Sequence, residues 1–550
     1  MTRGQRGTIR LFAALALIGV IAIGIIGQND HLWLLCMALA VPFTAVALWR
    51  GAPRDEPLFN RTSQKLAHIL LTLFVLLSMQ LVRAQVVTSG ATQTRTEDTP
   101  LGVVRNPRLL DAQLQALRGE VFSSDSVKIV GRDVASDKTV RRTYPDPTAD
   151  YLAGYYNPVR YGTSNLEYAY NAALSGRTDA DPAKALEWSL LHQPAQGNNL
   201  ILTLNAALQQ QATNLLGNRN GSIVLLDAKT GAVLAMVSNP HLDPAGLAAV
   251  PGNNPAAYWD ALRNNPNSPF VLRPTQGLYT PGSIFKTITA AAAIDTGKAR
   301  PDTKYEDRGF YNIEGFQLTE QNLPKGQEGK QSWTLQEGYQ WSLNVVFAQV
   351  GTQTLGGPLL SDYAKRFGFG EQIPFDLGTN ASRVSDSPNF LQSGAAVAQT
   401  AFGQGQLLAT PLQMALVAAC MANDGKEMEP YLVASVRRPD GTIASEHTPK
   451  VWKEPIRAET AVQMRAMMEN SVANGYADKA AIPGVKSGGK TGTAEVPNAP
   501  PHAWYIGYAP GKTTSYAVAV LVENGGEGSA VAAPLAKQLL QATLAYDAKK

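Results

Sequence analysis

Three apolar stretches near the N-terminal end constrain this chain more than any other feature. They run from about Leu11 to Gly27, from about Leu32 to Trp49 and from about Leu66 to Val82. Each approaches the roughly 20 residues that a helix needs to cross a hydrocarbon core ~30 Å thick. Backbone polar groups in such a core must be bonded within their own segment, so each stretch is expected as a transmembrane helix. The competing reading is a cleaved signal peptide followed by buried core helices. It fits less well, because the first stretch lacks a clear small-residue cleavage site and two further spans follow.

Charge gives an orientation. Arg3, Arg6 and Arg10 precede the first span, and the turn Gln28–His31 carries no Lys or Arg. The link between the second and third spans carries Arg50, Arg54, Arg61 and Lys65. Positive residues stay on the cytoplasmic side, so the N-terminus and the second link are expected there. Everything after about Arg83 is then extracytoplasmic, where no ATP is available.

The remainder of the 550 residues is long enough for several folding units. Hydrophobic residues make up 45%, ample for a large core, and a net charge of only +4 argues against a dedicated nucleic-acid binder. Two cysteines far apart imply neither a disulfide framework nor a metal cluster. Six scattered histidines form no metal-binding pattern, and no cofactor is implied.

Residues from about Gln85 to Pro100 are polar and read as a linker. From about Leu101 to Leu200 the pattern is mixed, with short strands and a polar helix near Asp111 to Leu117, and reads as a structural spacer. Beyond it, Leu200–Leu204 alternates as a strand and Ala206–Leu216 reads as a helix. Ser222–Asp227 and Ala232–Ser238 flank a glycine-containing turn and are expected as a hairpin. Ala503–Tyr508 and Tyr516–Val522 read as strands. Thr410–Met421, Thr460–Val472 and about Ala530 to Tyr546 read as helices. The expected class is α+β, an antiparallel sheet backed by helices with a helical insert.

Three short motifs carry chemistry. In Tyr279-Thr280-Pro281-Gly282-Ser283-Ile284-Phe285-Lys286, the residues that follow are good helix material. Ser283 is expected at or near a helix N-terminus with Lys286 one turn on, on the same face. A hydroxyl is a weak nucleophile until a neighbour takes its proton, and a buried Lys with a depressed pKa can do so. Backbone N–H groups at the helix start favour a developing oxyanion. Second, Ser342-Leu343-Asn344 follows Thr334-Leu335-Gln336-Glu337, a capping-box pattern that starts a helix. Its hydroxyl can relay a proton and its amide can hold a carbonyl. Third, Lys490-Thr491-Gly492-Thr493, if extended, presents an amine and hydroxyls to a carboxylate while Gly492 lets a substrate backbone approach.

Each motif has a decoy: Ser487–Lys490, Ser387–Asn389 and Lys229–Gly231. The ordered triple is the stronger signal, and it is the set of penicillin-binding proteins and β-lactamases. A rival from another class is a P-loop, since Gly484–Thr491 fits G-x-x-x-x-G-K-[ST]. Its context argues against it: Ala480–Pro483 is a poor strand, Pro497, Pro500 and Pro501 prevent a following helix, and the segment is expected outside.

The chain resembles the class B penicillin-binding proteins over roughly residues 100 to 545. Asn106-Pro107-Arg108 and Arg118-Gly119-Glu120 resemble the family's pedestal. Leu202-Thr203-Leu204-Asn205 with Leu208-Gln209 resembles the start of its transpeptidase domain, and Asp227 to Met236 its first hairpin. Gly403-Gln404-Gly405, Thr410-Pro411-Leu412-Gln413 and His502 to Pro510 resemble segments around its active site. The resemblance implies a membrane anchor at 1–84, a linker and pedestal at 85–200, and a transpeptidase domain at 201–550. It implies a peptidoglycan D,D-transpeptidase at the bacterial inner membrane.

In that family's scheme Ser283 attacks the penultimate D-alanine carbonyl of a stem peptide, on lipid-linked or nascent glycan, and Lys286 is the base. Ser342 relays protons with Lys490. Asn344, Thr491, Gly492 and Thr493 hold the donor peptide, with the N–H groups of Ser283 and Thr493 as oxyanion hole. β-Lactams acylate Ser283. The implied partner is a polytopic glycan polymerase of the SEDS type, since the chain has no room for its own glycosyltransferase. Three spans depart from the single span usual in the family. A D,D-carboxypeptidase, a membrane-bound β-lactamase and a penicillin sensor use the same motifs and stay open at this level.

Overall fold

A computed structural model describes residues 3–27, 29–49, 57–84, 96–99, 102–105, 114–176, 195–248 and 253–549. The chain divides into two compact units, Met1–Ala112 and Gln113–Lys550.

The first unit holds three helices, Arg3–Ile26, Asp30–Leu48 and Leu58–Val82, each long and apolar enough to cross a membrane. The first and third begin well before their apolar stretches, in the basic flanks that carry Arg6 and Arg10, and Arg61 and Lys65. Their outward faces carry Leu11, Phe12, Ile18, Leu70, Phe74 and Leu77, all exposed, the reverse of a water-soluble helix bundle. Asn29 makes the sharp turn between the first two helices, its side chain accepting from the N–H groups of His31 and Leu32 at 2.9 and 3.2 Å. At this end Arg83 pairs with Asp30 at 2.7 Å and lies 5.0 Å over the Trp33 ring. At the opposite end the guanidinium of Arg10 donates to the Trp49 carbonyl, and a His68 ring nitrogen meets the Leu48 carbonyl at 2.7 Å.

Within the expected linker, Thr96–Thr99 forms a strand paired with Gly102–Arg105. The helix expected near Asp111 and the segment Asn106-Pro107-Arg108 lie outside the described residues, except for Leu114 to Leu117. Of these Leu117 bridges to Gln196 instead of continuing a helix.

The second unit contains two principal sheets. One has six strands in the order Ile443–Glu446, Val433–Arg437, Asn199–Leu202, Val121–Phe122, Lys128–Val134 and Val140–Thr143. Asn199–Leu202 therefore joins the spacer segment to strands from far down the chain, and the expected boundary at residue 200 falls inside a strand. Beside this sheet Glu167 is fully buried between Arg118 at 2.5 Å and Arg142 at 2.6 Å, a charge cluster that holds the spacer together. Removing one member of such a cluster leaves buried charge uncompensated.

The other sheet is antiparallel, in the order Val233–Asn239, Gly221–Asp227, Ser515–Val522, Ala499–Pro510 and Gly488–Val496. Helices cover both of its faces, so its central strands are apolar at nearly every position. Val224, Leu226, Trp504, Ile506, Ala519 and Leu521 face one core, with Ile284, Ile288, Leu412 and Leu416. Ile223, Leu225, Tyr505, Val518 and Val520 face the other, against the helices Ala206–Leu216 and Ala532–Lys549. The expected hairpin, the two C-terminal strands and the helices Pro411–Ala422 and Ala458–Asn474 are all present.

Candidate active site

The outer strand Gly488–Val496 and the turn Gly282–Phe285 meet at the edge of the antiparallel sheet. The turn is a 3₁₀ turn that passes into the helix Lys286–Asp295. With three residues per 3₁₀ turn, positions i and i+3 eclipse, which sets Ser283 and Lys286 on one face. Gly282 makes this possible. Its φ is +58°, and a Cβ there would lie 2.9 Å from the Thr493 carbonyl oxygen. Gly492 faces the same seam, where a Cβ would meet the Pro281 carbonyl oxygen at 2.9 Å.

The approach to Ser283 is fixed from behind. The Tyr279 hydroxyl donates to Glu523 Oε1 at 2.6 Å, and Arg273 Nε donates to the same oxygen at 2.7 Å. Trp504 Nε1 donates to the Thr280 carbonyl at 3.0 Å. Ser283 is half-buried, and its hydroxyl makes no hydrogen bond among the described residues.

The second motif comes from a loop between two short helices. Thr334 and Glu337 form the expected capping box at the start of Leu335–Gln340, and Asn344 opens Asn344–Gln349. Between them Ser342 takes φ = +59°, a conformation that costs a non-glycine residue about 1–2 kcal/mol. Its carbonyl, thereby turned inward, accepts from Lys286 Nζ at 2.6 Å and Asn322 Nδ2 at 3.0 Å.

Two amines converge on the Ser342 hydroxyl. Lys490 Nζ lies 2.9 Å from Ser342 Oγ and Lys286 Nζ 3.3 Å from it. Lys286 also donates to Asn344 Oδ1 at 2.7 Å, which fixes the Asn344 amide orientation. Lys490 donates to its neighbour's carbonyl, on Thr491, at 3.1 Å. Both lysines are fully buried. Burial pulls the Lys286 amine down to about 7, with the Glu320 carboxylate opposing that fall. Burial, and then the charge of Lys286, pulls Lys490 well below its ordinary value. The two amines therefore resist being charged together. The site offers a hydroxyl, an amine that is half-deprotonated near neutrality and a relay to a second amine, which is the equipment of acyl transfer.

Lys286, Ser342, Asn344 and Lys490 thus form one hydrogen-bonded group, with Ser283 beside it on the shared turn. Thr491 is buried in the strand, while Thr493 is exposed at the rim and accepts from the Gly528 N–H at 3.3 Å. Sequence reasoning missed Glu320 and Asn322, because neither belongs to a spaced motif. It also missed the Tyr279–Glu523–Arg273 anchor, whose members lie far apart in sequence. Of the decoys, Ser487–Lys490 runs into the outer strand and shares Lys490 with the site, and the other two sit elsewhere. Lys229-Thr230-Gly231 caps the hairpin on Asp227 Oδ1, and Ser387 to Asn389 lie in an exposed turn. The P-loop candidate, Gly484–Thr491, runs from a turn into the strand Gly488–Val496 and opens no helix.

Residues 221–541 match the family described as the penicillin binding protein transpeptidase domain. The chain is 33% identical over 497 residues to the peptidoglycan D,D-transpeptidase PbpA of Mycolicibacterium smegmatis, covering 87% of this chain and 98% of that protein. It is 28% identical over 443 residues to the peptidoglycan D,D-transpeptidase MrdA of Escherichia coli, covering 74% and 67%. Among solved structures, a ceftriaxone acyl-enzyme complex of penicillin-binding protein A from Mycobacterium tuberculosis superposes with a TM-score of 0.72 at 32% identity. It covers 79% of this chain and all of that one. A D,D-transpeptidase domain from Eggerthella lenta superposes with a TM-score of 0.69 at 32% identity, with the same coverage. The chain belongs to the class B penicillin-binding proteins, the serine-type peptidoglycan D,D-transpeptidases.

Proposed function

We propose that Ser283 is the acylated nucleophile of a reaction that cross-links stem peptides outside the membrane. The observation that carries this reading is the Ser342 hydroxyl shared by two buried lysines, 2.9 and 3.3 Å away, next to an uncommitted serine. Lys286 takes the Ser283 proton as Oγ bonds to the penultimate D-alanine carbonyl carbon. The tetrahedral oxyanion is held by the N–H groups of Ser283 and Thr493. Collapse breaks the amide bond, and the leaving amine of the terminal D-alanine takes a proton passed through Ser342 with Lys490. The amine of a neighbouring stem peptide then attacks the ester, gives up its proton along the same route and regenerates Ser283.

Asn344 holds the donor peptide's carbonyl, and Thr491, Gly492 and Thr493 line the strand that receives its backbone and carboxylate. The two-step route replaces one difficult displacement by two easier ones. β-Lactams enter as donor mimics and remain as esters on Ser283.

The catalytic domain is assigned to 201–550 and the linker and pedestal to 85–200, with 1–84 as the anchor in the inner membrane. The basic residues at the Arg10 end face the cytoplasm. A SEDS-type glycan polymerase is the partner proposed for it, in keeping with its place among the class B penicillin-binding proteins.

The test supplies purified enzyme with nascent glycan bearing pentapeptide stems, then digests the glycan and weighs the fragments. Cross-linked dimers with one D-alanine released per link support the reading. Tetrapeptide monomers without dimers make the enzyme a carboxypeptidase, and an unchanged pentapeptide pool contradicts both.

A further inference from the structure

Two fully buried lysines share a site whose neighbouring carboxylate belongs to none of the three motifs. Glu320 follows the strand Phe316–Thr319 and is almost wholly buried. Its Oε2 accepts from the Val345 N–H at 2.8 Å, and its Oε1 accepts from the N–H groups of Gln321 and Asn322, both at 3.0 Å. Asn322 in turn donates to the Ser342 carbonyl that receives Lys286. Glu320 thus ties together the loop that carries Asn322 and the segment that carries Ser342 and Asn344. Burial raises the Glu320 carboxyl and the charge of Lys286 works against that rise, as the charge of Glu320 works against the fall of the buried Lys286 amine.

We propose that Glu320 is a positioning residue for acylation: through Val345 and Asn322 its carboxylate anchors the Ser342–Asn344 loop that receives the Lys286 amine, and it supplies the charge that balances that amine. The proposal rests on Ser283 and Lys286 acting as described above. The other groups facing this pair are few. Lys490 reaches Lys286 from the outer strand, and the Phe347 ring lies 5.4 Å from the Lys286 amine. Asp307, buried, acts on Glu320 with the same sign of charge. Tyr476, whose hydroxyl donates to the Asn322 carbonyl at 3.1 Å, and Tyr339, whose ring lies 5.7 Å from the Lys490 amine, are neutral across the working range. Glu320 is therefore the carboxylate that opposes the burial of Lys286.

A carboxylate beside an amine stabilises its charged form, so removing it lets Lys286 lose its proton at lower pH. Acylation of the full chain by a fluorescent penicillin is measured from pH 5 to 9 for the wild type, Glu320→Gln and Glu320→Asp. Glu320→Gln is expected to lower the plateau rate, because the loop loses its anchor. It is also expected to move the acid limb to lower pH by about one unit, a tenfold change in proton affinity. Glu320→Asp, which keeps the charge, is expected to keep the wild-type limb. A lowered plateau with an unmoved limb, or a limb moved to higher pH, overturns the proposal.

Thermal melting supplies a readout independent of activity. Glu320→Gln is expected to lower Tm less in a Lys286→Met background than in the wild type, because the charge it balanced is gone. Equal losses in both backgrounds overturn the proposal. If Glu320→Gln alone fails to fold, a cooperative melt regained in the double variant supports the pairing, and an unfolded double variant overturns it. A wild type that takes no penicillin refutes the serine reading itself, and the melting cycle still decides the role of Glu320.

Discussion

The Ser342 hydroxyl lies between two amines that belong to different elements, Lys286 on the helix behind the nucleophile and Lys490 on the outer strand. Both lysines are fully buried, which disfavours a charge on either, so a proton that enters is readily passed to another group. That is what a relay needs, and it defines a pH dependence. Lys286 is held down to about 7 by burial, so it is protonated below that value and a base above it. The rate of Ser283 acylation is expected to rise with pH through about 7 and to level off above it. Stopped-flow acylation by a chromogenic cephalosporin reads this limb, and a rate that falls over the same range contradicts the assignment of Lys286. Lys490→Ala is expected to slow acylation by roughly 10²–10⁴-fold, the usual value of a positioned proton carrier. An unchanged rate removes Lys490 from the relay.

At the scale of elements, catalytic geometry rests on how closely backbones approach. The Gly403 backbone lies against the nucleophile turn, with its carbonyl accepting from the Gly282 N–H at 2.9 Å. Its φ is +96°, and a Cβ there would lie 1.7 Å from the Gly282 carbonyl oxygen. Gly403→Ala therefore combines a conformational penalty with a backbone clash. It is expected to cost about 3 kcal/mol or more in chemical denaturation and to slow acylation, because the turn carrying Ser283 must shift. Gly484→Ala is the control, with φ = +74° but open space around it, and is expected to cost only about 1 kcal/mol. Equal losses in the two variants contradict the close-approach account.

The same scale explains what the sequence revealed. Thr334 to Glu337, the hairpin around Gly231 and the helices after Ser283 and Thr410 were legible because each is decided within a few residues of itself. The six-stranded sheet was not, since Val433–Arg437 finds its partner, Asn199–Leu202, only through the tertiary fold. Glu320 escaped for a like reason. Its role comes from the loop that folds over Lys286, and a lone Glu carries no pattern.

At the scale of the whole molecule, anchor and catalytic unit obey opposite solvent rules: apolar faces turn outward in the first unit and inward in the second. The orientation proposed for the anchor puts the turn at His31 outside and the link before the third span inside. Both native cysteines are buried, so introduced thiols can be read over a low background. In intact spheroplasts His31→Cys is expected to react with a membrane-impermeant maleimide, and Ser63→Cys only after permeabilisation. The reverse pattern contradicts the orientation and would leave the active site without its substrate.

Whether Ser283 becomes acylated is read by intact-mass spectrometry of the purified full chain incubated with penicillin. The wild type is expected to gain the mass of one intact penicillin, held stably and located by peptide mapping on Ser283, while Ser283→Ala gains nothing. An unmodified wild type, or a Ser283→Ala variant that is still acylated, contradicts the account.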